Sequence, residues 1–166
     1  RWQEKWENLP TIKGNLSDGL LKILDTSSQL DSKIETINNE AYEYYLRGFY
    51  LFKNRNDKKD LNLSIKLLKK SIELDNNLIN AHMKLAFIYF VIGKGNQSFD
   101  IYIKIIKRSQ ELGDKYSLGE SNRGLSMVYA SRGKFDKQIK HLNIAKTIFE
   151  ELDDKNSLAI CFHDYG

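Results

Sequence analysis

The sequence predicts an all-α fold, a right-handed α-α superhelix of stacked helix hairpins preceded by an N-terminal helical segment. Three observations predict it. The words LGDKYSLG at Leu112 to Gly119 return as LDDKNSLA at Leu152 to Ala159, forty residues later. The same step pairs Leu85 with Leu125, Tyr89 with Tyr129, Gly93 with Gly133, Phe99 with Ile139 and Ile105 with Ala145. Between these echoes, apolar residues recur at three- and four-residue intervals, the spacing of one helix face. A repeat period of about 20–50 residues marks units that bury their apolar faces against their neighbours in series.

Composition agrees with that class and excludes others. Of 166 residues, 41% are hydrophobic and 29% charged, which is too apolar for a disordered tail. The formal charge of +4 comes from 26 basic and 22 acidic residues scattered without a long single-sign block, so an acidic partner is permitted and not required. No apolar run approaches the roughly 18 residues of a membrane span, and membrane insertion is not expected. The lone cysteine, Cys161, cannot close an internal disulfide, and a cytoplasmic location is the expectation. The chain opens without Met and ends at Gly166 inside a helical pattern, from which a piece of a longer protein is expected.

The first element is residues 1–40. Trp2, Trp6, Leu9, Ile12, Leu16, Leu20 and Leu24 form an apolar series that becomes helical after Pro10, a residue suited to a first helical turn. The repeat array follows in residues 41–166, divided as 41–77, 78–114, 115–153 and a truncated fourth unit, 154–166. In the first unit the segment Asn54 to Asp60 reads as a polar loop that absorbs four extra residues. In the second unit, Leu78 to Ile92 has little polar face, as a helix packed on two sides requires. Gly93 stops that helix and Gly133 stops its counterpart, because glycine enters the left-handed conformation at low cost. Second helices are predicted over Gln97 to Leu112 and Phe135 to Leu152.

These residues resemble the tetratricopeptide repeat family, whose signature is a large residue, Leu-Gly and Tyr in the first helix, then a small residue four before an aromatic in the second. The second unit has His82, Leu85-Ala86, Tyr89, Ser98 and Tyr102; the third has Asn122, Leu125-Ser126, Tyr129, Gln138, Leu142 and Ala145. The first has Tyr44, Arg47-Gly48, Leu51, Ser64, Leu68 and Ser71. Departures are Asn76 in place of the closing proline, Asn122 at the large position, and later units longer than the usual length of about 34 residues. A second helix longer by about one and a half turns is the expected source of that length. The opening fifty residues, with AYEYYLRG at Ala41 to Gly48, also look like the connector of bacterial proteins in which a TolB-like domain, often behind a nucleotide cyclase or kinase domain, precedes such repeats.

The family resemblance implies a concave groove lined by the first helix of each hairpin. In this sequence the lining positions are Tyr45, Phe49, Phe52, Met83, Phe87, Phe90, Arg123 and Met127, followed by Ala130. Members that clamp a C-terminal carboxylate use Lys, Asn and Arg there; Arg123 alone matches in kind, so that recognition is not expected. A Phe- and Met-lined groove favours an amphipathic helix. The expected function is a protein- or peptide-binding module of a larger bacterial regulatory chain. The alternative is a homo-oligomerisation element, such as a homodimer, or an element docking its own upstream domain.

Catalysis is not expected. His82, His141 and His163-Asp164 share no ligand spacing, so no metal or cofactor is expected. GKGN at Gly93 to Asn96 lacks the Lys-Ser/Thr ending of a phosphate loop, and Cys161 has no base in register. Lys66, Lys69, Lys70, Lys104, Lys107, Arg108, Lys137, Lys140 and Lys146 collect on second helices, away from the groove aromatics, and read as a solvated face; nucleic acid is not an expected partner.

Overall fold

The computed structural model describes residues 38–165; the expected N-terminal element, with Trp2, Trp6 and Pro10, lies outside the described residues. The described residues form seven α-helices and no strand: α1 Asn39–Lys53, α2 Lys58–Leu74, α3 Ile79–Val91, α4 Gly95–Leu112, α5 Lys115–Ser131, α6 Phe135–Glu151 and α7 Lys155–Asp164. Each helix packs on the next, and the first helices of successive hairpins also touch, α1 with α3 and α3 with α5. That pattern is a serial stack of hairpins.

The signature positions make the core. Leu85, Ala86, Tyr89 and Tyr102 are buried in the second hairpin, and Leu125, Ser126, Tyr129, Leu142 and Ala145 in the third. One cluster joins Ala86, Tyr102 and Ile105 to Leu125, Val128 and Tyr129, so it bridges two hairpins. A second joins Phe52 and Leu68 to Leu85, Ile88 and Tyr89. Neither hairpin could dry these side chains alone, which is why the units stack. The first hairpin is tied by serine hydroxyls of α2 that donate to α1 carbonyls, Ser64 to Gly48 and Ser71 to Ala41, each at 2.7 Å.

The repeated words LGDKYSLG and LDDKNSLA are a stop and a start. At the stop, Gly113 and Asp153 take the left-handed conformation, with φ of 69° and 51°. The next amide reaches back across the turn, Asp114 N to Ser109 O at 2.9 Å and Asp154 N to Phe149 O at 3.0 Å. At the start, Asp114 accepts from Ser117 N at 3.0 Å and Asp154 from Ser157 N at 3.1 Å, capping α5 and α7. Gly93 and Gly133 end α3 and α5 in the same left-handed way.

Two expectations of detail are corrected. The extra length of the later units is shared between helices: α4 has 18 residues, but α5 has 17 against 13 in α3. Asp114 nucleates α5 one turn earlier than α3 begins, so the first helix of the third hairpin grows by about a turn. In the first unit, Lys58, Lys59 and Asp60 are helical and do not belong to the loop, because Asp57 accepts from Lys59 N and Asp60 N and starts α2 there.

Candidate functional site

The side chains singled out on α1, α3 and α5 fall into four groups. On α1, Tyr45 and Phe49 stack with ring centroids 6.3 Å apart, and Tyr42 joins Tyr45 at 5.6 Å. Lys84 of α3 carries its ammonium 4.7 Å from the Phe49 ring, linking the first two hairpins along this edge. Tyr45, Phe49, Met83, Phe87, Phe90, Arg123 and Met127 are all half-buried. They combine packing with surface.

Phe52 is different. It is 8% exposed, lies in the core cluster with Leu68 and Leu85, and is covered by the Arg55 guanidinium 4.3 Å from its ring centroid. It meets Phe87 edge-on at 5.9 Å. Phe52 therefore supplies packing beneath the surface, and Phe87 is anchored by it.

Phe90 and Met127 come together in an open depression of about 320 Å³, completed by Ala130, Ser126, Ser131, Gln138 and Asp164. Here α3, α5, the start of α6 and the end of α7 meet. Phe90 and Met83 also back onto the cluster around Tyr102 and Leu125, so their inner edges are core and their outer edges surface.

Arg123 is held through all three of its nitrogens. Its Nε and Nη2 donate to the two carboxylate oxygens of Glu120 at 3.2 and 3.1 Å, and its Nη1 donates to Asp164 at 3.2 Å. Burial works against its charge, but Glu120 and Asp164 outweigh that and hold the proton more tightly than in a free arginine. Glu120 stands one turn before Arg123, a spacing visible in the sequence. Asp164 lies on α7, and only stacking brings it near. Tyr42, Lys84, Glu120 and Asp164 were not among the residues expected at the site.

The remaining reactive side chains have structural surroundings. His82 Nε2 lies 3.0 Å from the Asn76 carbonyl, and His141 Nδ1 lies 2.9 Å from Asn122 Oδ1 while the imidazole stacks on Tyr129 at 5.3 Å. Burial pushes the Cys161 thiol up to about 11, against the chemistry of a nucleophile. Among the described residues no three His, Cys, Asp or Glu side chains converge as a metal cage, and no helix is long and apolar enough to cross a membrane.

No protein-family model matches the chain, and no curated protein matches it in sequence. Among solved structures, the N-terminal domain of stress-induced protein-1 from C. elegans is similar, with a TM-score of 0.61 and 15% sequence identity, over 80% of this chain and 99% of that one. At that identity the likeness speaks for fold alone, and the fold it supports is an all-helical stack of the tetratricopeptide-like kind.

Proposed function

We propose that the stack is a protein-interaction module that receives an amphipathic helix along a groove formed by α1, α3 and α5. The observation that carries this reading is the run of half-exposed Tyr45, Phe49, Phe87, Phe90 and Met127 on successive first helices, ending in the depression between Phe90 and Met127. Burial of a large apolar side chain contributes about 1.5–3 kcal/mol, so three or four anchors suffice for micromolar affinity once association costs are met. The reading divides the array as 41–77, 78–114, 115–153 and 154–166. It sets the module in the cytoplasm within a larger bacterial regulator, on the strength of the connector-like opening residues and the solitary Cys161.

The test is fluorescence anisotropy with a labelled amphipathic helical peptide bearing leucine anchors. Micromolar binding that disappears in Met127→Glu, with helicity unchanged by circular dichroism, supports the groove. Unaltered binding by that variant overturns it.

A further inference from the structure

Building on the groove reading, we infer that its α5–α7 end selects a basic amphipathic helix, one that inserts an apolar side chain between Phe90 and Met127 and sets a Lys or Arg against Asp164. The inference rests on charge and on the size of the depression. Two carboxylates, Glu120 and Asp164, share the single guanidinium of Arg123, which leaves a formal charge of −1 on the trio. All three side chains are only 18–21% exposed, so that residual charge is poorly screened by solvent and favours a compensating cation.

An incoming carboxylate has no comparable welcome. Nε, Nη1 and Nη2 of Arg123 each already donate to a carboxylate, and the approach brings a third anion beside two already present. Arg123 is thus part of the wall and not a hand for a partner's carboxylate. His163 stands 3.7 Å from the other Asp164 oxygen and is itself exposed, so a partner's cation reaches that oxygen beside the imidazole or in its place.

Size and position then specify the rest. At about 320 Å³ the depression lies at the small end of the range for ligand pockets, roughly 300–1,000 Å³. It has room for one large apolar side chain. Asp164 lines that same depression, so anchor and cation must be neighbours on the partner, as residues three or four apart on a helix are. Farther along the groove a cation stands instead, Lys84 over Phe49.

Two labelled, end-capped peptides with identical leucine anchors provide the test, one with lysines flanking the anchors and one with glutamates in their place. Both are titrated by anisotropy into the full 166-residue chain at pH 7.5 and low salt. The expected result is binding of the lysine peptide about tenfold or more tighter than its twin, with the advantage shrinking as salt is added. Asp164→Asn should reduce that advantage several-fold, and Glu120→Gln should do the same if Asp164→Asn disturbs α7. The chain's formal charge of +4 works against this outcome, so a lysine preference cannot be a bulk effect. Tighter or equal binding of the glutamate peptide overturns the inference and leaves the groove standing, as does a lysine preference indifferent to both substitutions. If neither peptide binds, the groove reading itself fails.

Discussion

The ring of Tyr102 on α4 rests directly on the backbone of Gly124 on α5, and a methyl group at residue 124 would overlap the ring and its hydroxyl. Both neighbours are held, since Tyr102 is buried in the cluster that joins the second and third hairpins. Gly124→Ala gains helix propensity of up to about 1 kcal/mol, but overpacking a fixed core costs about 1–3 kcal/mol. Because the methyl would lie only 2.3 Å from a held ring, the cost falls at the upper end and a net loss of about 2 kcal/mol in urea unfolding is expected; unchanged or higher stability would show that α4 and α5 are not in this contact.

Asp153 performs with a side chain what Gly113 performs without one. A non-glycine residue at φ 51° carries strain that glycine avoids, although aspartate tolerates it better than most. Asp153→Gly should therefore raise stability by about 0.5–1 kcal/mol, and Gly113→Asp should lower it similarly. Opposite signs in thermal unfolding would mean that the two turns are not equivalent.

Serine occupies the small position of two second helices with different consequences. Ser64 donates to the Gly48 carbonyl, whereas the buried hydroxyl of Ser98 has no partner among the described residues. Ser64→Ala should cost about 1 kcal/mol, and Ser98→Ala should be neutral or stabilising, since it removes a buried unpaired group. Denaturant titration of the pair checks the contrast.

His141 links the fold to pH. Burial, then the nearby Lys140 and Lys137, depress its pKa below the ordinary 6.5; burial likewise lowers that of His82, against the opposing pull of the Asn76 carbonyl. The unfolded chain then binds more protons than the folded one below pH 6.5, so stability falls as pH falls through that window and levels off below the folded-state value. His141→Gln, which keeps a polar group near Asn122, should flatten the slope. A slope unchanged by that substitution and by His82→Gln assigns the pH dependence elsewhere.

Much of this architecture was legible because the repeat is written in residues whose chemistry is local. Gly93 and Gly133 announce helix ends, Leu85-Ala86-Tyr89 and Leu125-Ser126-Tyr129 announce buried faces, and the forty-residue echo announces stacking. Other features depend on neighbours that spacing does not reveal. The early start of α5 depends on Asp114 capping it immediately after the left-handed Gly113. Its place in the repeat puts Phe52 on the groove lining, but Arg55 and Phe87 close over it. The Arg123–Asp164 pair spans 41 residues, and no pattern within a single unit could show it.

The central claim, that the first helices present a partner-binding groove, is tested most directly by mapping amide resonances of the ¹⁵N-labelled chain as an amphipathic peptide is added. The account predicts that shifts concentrate at Tyr45, Phe49, Phe87, Phe90, Met127 and Ala130. Shifts confined to the lysine-bearing faces of α2, α4 and α6, or none at saturating peptide, would contradict it.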